Sequence, residues 1–127
     1  MYTNPDQDLS KLWWDLKQKY QLMTPPEGRK APDYAAKIHV VIVPAYYHNY
    51  QLGALFASQV HRHISAKVLG GSDPFATSYK DKAEVGKYFR SKIFEPGAKL
   101  EWNTMVEQAT GEKLTAKHFA ADYVSGN

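Results

Sequence analysis

No cysteine occurs among these 127 residues, which excludes thiol catalysis, thiolate metal sites and a disulfide framework. Charge of one sign is missing too. Sixteen lysines and arginines stand against 13 acids, for a net charge of +3, and the two signs alternate in stretches such as Lys80, Asp81, Lys82, Glu84 and Lys87. A nucleic-acid partner would require a basic stripe, so none is expected. No apolar run approaches the roughly 20 residues of a membrane span, and the polar, acidic opening from Met1 to Asp8 does not read as a signal peptide. A soluble chain with no membrane partner is expected, and its cellular location is not legible. Tyrosine is plentiful instead, with nine copies beside three Trp and five Phe. A chain of this length buries roughly two-thirds of the surface its unfolded form exposes, so a core is expected without a disulfide or structural metal.

Apolar residues Leu9, Leu12, Trp13, Leu16 and Tyr20 recur at spacings of three and four. Thr24-Pro25-Pro26 then ends that amphipathic helix. Glu27 to Pro32 reads as a loop, and Asp33 is expected to cap a short turn over Ala35-Ala36-Lys37. Ile38 to Val43 is a β-branched run ended by Pro44, which predicts a short extended segment. From Ala45 the period becomes helical again. Tyr47, Tyr50, Ala54, Ala57, His61 and Ile64 share one stripe, with Leu52, Leu55, Phe56, Val60 and Val68 beside it, until Gly70-Gly71. Because that helix is apolar over more than half its girth, it is expected to be buried. Asp81 to Pro96-Gly97, Trp102 to Ala109 and a Thr115-capped segment bearing Phe119, Tyr123 and Val124 complete a mainly α chain with one short extended segment.

Five histidines invite a metal reading, but no His-Glu-x-x-His occurs, and His61 and His63 lie two apart, pointing away from each other on a helix. No metal ligand is therefore assigned. Lys37-Ile38-His39 running into Pro44-Ala45-Tyr46-Tyr47-His48-Asn49-Tyr50 carries more. On an extended segment Lys37 and His39 project to one side, and on a helix Tyr47 and Tyr50 share a face. Four polar tips would then converge on one cleft. They suit a peptide: Lys for a terminal carboxylate, His and Tyr as donors to carbonyls, and Tyr for a developing oxyanion. The plainer reading makes the tyrosines core residues and Lys37 a solvated cation.

Those residues resemble the C-terminal part of the angiotensin-converting-enzyme-like peptidyl-dipeptidases, zinc metallopeptidases of mostly helical, gluzincin-type fold. The resemblance runs from Trp13-Trp14-Asp15-Leu16-Lys17-Gln18-Lys19-Tyr20-Gln21 through Ala36-Lys37-Ile38-His39 to Val43-Pro44, Tyr47, Tyr50, Gln59 and His61. It resumes at Trp102 and Thr110-Gly111. Pro44-Ala45-Tyr46-Tyr47 with Tyr50, Leu52-Gly53 and Gln59 is also similar to the oligoendopeptidase F and thimet-type peptidases. The resemblance implies that Lys37 and Tyr47 bind the substrate's C-terminal carboxylate, that His39 donates to a carbonyl near the scissile bond, and that Tyr50 stabilises the oxyanion. The interval from His39 to Tyr47 is one residue longer than the family's, which makes Tyr46 an alternative for the carboxylate. Asn49 stands where the animal enzymes carry a chloride-binding Arg.

The family's zinc-binding His-Glu-x-x-His and its third ligand lie upstream of the matched region. Residues 1–127 are thus expected to be a C-terminal fragment of a larger helical peptidase domain, inactive alone, with zinc held in the parent by residues outside this chain. The implied partners are a peptide substrate and the remainder of the parent, and exposed apolar surface would favour self-association. The implied activity is hydrolysis that releases C-terminal dipeptides. Oligoendopeptidase action and a non-catalytic peptide-binding module are the alternatives.

Overall fold

Asp8 starts the first helix. Its carboxylate accepts the Lys11 N–H at 2.9 Å, satisfying one of the donors a helix start leaves open, and α1 follows over Leu9–Gln21. Leu22 turns left-handed at φ 57° and closes the helix by donating to the Gln18 carbonyl. These elements belong to a computed structural model that describes residues 3–43 and 45–124, the side chain of Val124 excepted. Every regular element among the described residues is helical, so the mainly α class expected from periodicity is the class observed. The chain divides into two compact units, Met1–His48 and Asn49–Asn127.

In the first unit a 3₁₀ turn over Asp33–Ala36 leads to α2, Ile38–Val41. Two expectations are corrected here. Asp33 does not cap: it lies inside the turn, which has no side-chain cap. Its carboxylate instead accepts from Arg29 Nε at 2.9 Å and Trp14 Nε1 at 3.2 Å, tying the loop to α1. The Arg29 guanidinium holds the Asp33 carboxyl below its ordinary range. The segment after Lys37 is a helical turn rather than extended. Val40 and Ile42 N–H groups donate to the Lys37 and Ile38 carbonyls at 2.9 Å each, and Lys37, which precedes the turn, is extended at φ −88° and ψ 110°. β-branched side chains lower helix propensity by only a fraction of a kcal/mol per residue, whereas a strand needs a partner for its ladder. No strand exists among the described residues to provide one. Pro44, expected to end the run, lies outside the described residues.

In the second unit α3, His48–His63, continues into a π-helical turn over Ile64–Val68 and stops at Leu69 and Gly70, the latter at φ 66°. The stop falls where the glycine pair predicts it. Burial does not follow the whole helix: Gln59, Val60, Ile64 and Ser65 are buried, whereas the first turn is exposed. α4, Ala83–Phe89, also runs into a π turn, Arg90–Phe94. Asp81 precedes it at φ 58°, with Lys82 rather than Asp81 at the boundary. Val60, Ile64, Val85 and Tyr88 form the core, with Phe56, Val68, Phe89 and Ile93 packed on it. Burying such side chains contributes about 1.5–3 kcal/mol each.

α5, Trp102–Thr110, is capped by Glu101, whose carboxylate accepts the Asn103 and Thr104 N–H groups at 2.9 Å, and closes at Gly111 with φ 89°. The Tyr88 hydroxyl donates to the Ala109 carbonyl at 3.0 Å and joins α4 to α5. In α6, Lys117–Val124, Thr115 Oγ1 accepts the Lys117 N–H at 3.3 Å as expected, and Phe119 packs on Tyr123. The apolar role expected of Val124 lies outside the described side chains. No helix among the described residues is long and apolar enough to cross a membrane.

Three ion pairs hold α6 and its approach. Arg62 Nε donates to Asp122 Oδ1 at 2.8 Å, joining α3 to α6. Glu112 accepts from Lys117 Nζ at 2.6 Å and pairs with His118 Nε2 at 2.8 Å. Burial pushes the Asp122 carboxyl up, but hydrogen bonds from Ser58 and Arg62 outweigh it and leave it below its ordinary value. The Lys117 ammonium, then His118, does the same for Glu112. A carboxyl depressed by folding contributes stability above its unfolded pKa of about 4, and that stability is lost as pH falls through the folded value. The melting temperature should therefore fall from pH 5 towards pH 3. Asp122→Asn should lose about 1 kcal/mol at pH 7 and show a shallower acid slope than the parent chain; equal slopes would remove Asp122 from the explanation.

Candidate functional site

The first unit gathers four of the five sequence-predicted residues. Lys37 Nζ sits 5.3 Å from the centroid of the Tyr47 ring. The His39 ring lies 5.4 Å from that of Tyr47, tilted by 56°, and 6.2 Å from that of Tyr46, nearly parallel at 17°. This grouping does not arise from a period of two. Lys37 is extended and His39 is in the first turn of α2, while Tyr46 and Tyr47 precede α3. Helical backbone after Lys37 brings the tips together where an extended one was expected to. The tyrosines are not core residues: Tyr47 is 53% exposed and Tyr46 is also exposed.

Beside this cluster lies a groove of about 530 Å³. α1 contributes Trp13, Leu16, Lys17 and Tyr20 to it; Lys37, Val40 and Tyr47 close the other side. The volume falls within the usual 300–1,000 Å³ of small-molecule sites. Lys17 Nζ stands 5.0 Å from the Trp13 ring centroid and donates to Gln21 Oε1 at 2.7 Å. Among the described residues no carboxylate lies within 4.0 Å of either Lys17 or Lys37. Of the two candidate tyrosines it is Tyr47 that neighbours Lys37 and lines the groove. Sequence reasoning placed Trp13 and Leu16 only as the apolar face of a helix. The signal it passed over was lysine interleaved with aromatics on that face.

Tyr50, the expected oxyanion donor, is in the first turn of α3 in the second unit and 58% exposed. Farther along the same helix, Gln59 is 1% exposed. Its Nε2 donates to Thr110 Oγ1 at 2.8 Å and to the Glu112 carbonyl at 3.1 Å, and its Oε1 accepts the Thr115 N–H at 3.1 Å. It joins α3 to the end of α5 and the start of α6. His61 is also committed. Its Nε2 lies 2.8 Å from the Pro74 carbonyl, which only accepts, so Nε2 carries the proton, and Nδ1 lies 2.6 Å from the Tyr79 hydroxyl. Burial pushes the Tyr79 phenol up, keeping it a donor. Both ring nitrogens of His61 are thus engaged within the fold.

A family model for carboxypeptidase Taq (M32) metallopeptidase matches residues 42–125. Tyr46, Tyr47 and Tyr50 fall inside that span, and Lys37 and His39 before it. The chain belongs to this metallopeptidase family. It is 30% identical over 115 residues to the angiotensin-converting enzyme of Theromyzon tessulatum, covering 87% of this chain and 18% of that one. It is 27% identical over 111 residues to the angiotensin-converting enzyme-like protein Ace3 of Mus musculus, covering 84% and 15%. The chain thus spans less than a fifth of the length of either relative. No solved structure matches it.

A metallopeptidase family implies a metal, zinc by the resemblance above. No group of three or more His, Cys, Asp or Glu among the described residues can hold a metal ion, so the residues present here do not fit one, and no step through a metal is assigned to them.

Proposed function

We propose that this chain forms the substrate-holding part of a longer metallopeptidase that hydrolyses peptide bonds near a free C-terminus. The observation that carries the reading is the Lys37 ammonium beside the Tyr47 ring, both residues lining the groove. With no carboxylate within 4.0 Å among the described residues, it is poised for one brought by substrate. In this reading Lys37 and Tyr47 hold the substrate carboxylate, Tyr46 being the alternative. His39 donates to a carbonyl near the scissile bond, and Tyr50 donates to the oxyanion that develops there. The family is named for a carboxypeptidase and the curated relatives for angiotensin-converting enzymes. A carboxypeptidase, like the dipeptide-releasing enzymes that this sequence resembles, has to recognise a terminal carboxylate. Release of dipeptides is the finer proposal, and release of single residues is the reading the family name favours.

The test is binding of one short peptide as free acid and as C-terminal amide to the chain and to Lys37→Met. A charge-assisted hydrogen bond is worth about 1.5–3 kcal/mol, so the acid should bind the parent chain about 10- to 100-fold more tightly than the amide. Lys37→Met should bind the two alike. A parent chain that does not distinguish acid from amide would refute the carboxylate role and favour an endopeptidase.

A further inference from the structure

We propose that a hollow in the second unit, walled by the end of α3, the loop after it and the junction of α5 with α6, binds a small phosphate monoester. It encloses about 350 Å³, and all the residues lining it belong to that unit. The volume is within the usual range of roughly 300–1,000 Å³ for small-molecule sites, so a phosphate would leave room for the group it esterifies.

Charge sets the ligand class. Arg62, His63, Lys67 and His118 face one carboxylate, Glu112, around the hollow. That carboxylate is already shared between Lys117 Nζ at 2.6 Å and His118 Nε2 at 2.8 Å. Arg62 spends Nε and Nη2 on Asp122 Oδ1, at 2.8 and 2.6 Å, which leaves the two N–H groups of Nη1 without an acceptor among the described residues. Lys67 Nζ has no carboxylate within 4.0 Å among those residues. His63 and Lys67 are four positions apart along α3 and its π turn, and so share a face. The His63 ring lies against that of Tyr88, with centroids 5.6 Å apart and planes 26° from parallel, a contact that fixes the ring and occupies neither nitrogen.

A carboxylate offers two oxygens and one charge. A phosphate monoester offers three terminal oxygens and about −1.5 to −2 charges at neutral pH, which matches a guanidinium edge, an ammonium and an imidazole. The loop wall is fixed without a ligand. Gly71 N–H donates to the Ser65 carbonyl at 2.7 Å, and a Cβ at Gly71 would meet that oxygen and Ser65 Oγ at 3.4 Å. Ser65 Oγ lies 2.6 Å from Thr77 Oγ1, and His61 Nε2 donates to the Pro74 carbonyl at 2.8 Å. Little beyond the Lys67 side chain is then left to order on binding, which favours affinity.

The experiment is calorimetric titration of the full 127-residue chain with glycerol 3-phosphate, succinate and glycerol, at pH 7 and fixed ionic strength. Glycerol 3-phosphate should bind saturably, succinate about 10-fold more weakly, and glycerol not at all. Lys67→Met should weaken glycerol 3-phosphate by about 10- to 100-fold, the usual loss with one charge-assisted hydrogen bond, and Lys67→Arg should restore most of it. Lys67 is exposed, so neither change opens the core. Lys99→Met removes the same charge outside the hollow and should leave binding unchanged. No saturable binding of glycerol 3-phosphate would overturn the proposal. Equal losses in Lys67→Met and Lys99→Met would do so too, since they mark general attraction between a basic chain and an anion. Succinate bound as tightly as glycerol 3-phosphate would overturn the choice of a phosphoryl group.

Discussion

In the longer peptidase proposed above, with Tyr50 in its proposed role, Tyr50→Phe should lower kcat by about 100- to 1,000-fold, which is the usual loss when one donor to a developing oxyanion is removed. KM should change little, because the ground-state carbonyl gains much less from that donor than the tetrahedral oxygen does. The variant adds no strain to the fold, since Tyr50 is 58% exposed in the first turn of α3 and a phenyl ring occupies less room than a phenol. The reading is a steady-state profile on one peptide substrate, with the melting temperature as control. An effect confined to KM would move Tyr50 from oxyanion stabilisation to substrate binding.

Gln59→Leu should be the most damaging of the single changes to stability. Leucine is of similar volume but bonds to nothing. It leaves the half-buried Thr115 N–H without its acceptor, and removes a donor from Thr110 Oγ1 and the Glu112 carbonyl. Each unsatisfied buried group costs about 1–3 kcal/mol, so a loss of about 2–6 kcal/mol is expected. That is comparable with the whole stability of many domains, about 5–15 kcal/mol. Urea denaturation monitored by circular dichroism reads it directly. Ile64→Ala, at a fully buried core position, gives a reference for cavity formation at about 2–5 kcal/mol. A Gln59→Leu midpoint equal to that of the parent chain would mean that the α3 to α5 and α6 junction does not depend on this side chain.

Local signals set most of the helices. Asp8, Thr24-Pro25-Pro26, Gly70, Gly97 and Gly111 mark starts and stops in residue types whose effect is decided within one turn of backbone. The segment after Lys37 was misread as extended because β-branched content is a weak preference. Whether Ile38 to Val41 is strand or helix turns on a partner for the ladder, and that is not a local property. The partial burial of α3 has a similar cause. An apolar girth states what a helix would bury, whereas what is buried depends on the neighbours, and in the second unit these reach Gln59 to Ser65 but not the first turn.

At the site, residue types were more legible than their geometry. Lys37, His39, Tyr46 and Tyr47 were chosen for what their tips can bind, and they do cluster, through a helical turn that the alternation argument did not foresee. The plain reading of the tyrosines as core failed because exposure at a chain's surface is not written in a helical stripe. The groove itself was invisible. It requires Trp13 and Lys17 to meet Lys37 and Tyr47 across 20 or more positions of chain, and sequence spacing says nothing about such an approach. Gln59 was noticed only as a matching residue, yet its hydrogen bonds to Thr110, Glu112 and Thr115 make it structural.

Mass spectrometry of the products formed by the full peptidase from one peptide, offered as free acid and as C-terminal amide, tests the carboxylate role most directly. The expected result is release of the C-terminal dipeptide from the acid, with the amide cut at least about 10-fold more slowly. Release of single residues from the acid alone would keep the carboxylate role and shift the cleavage position by one bond. Equal cleavage of acid and amide would contradict the assignment of Lys37 and Tyr47 to a terminal carboxylate.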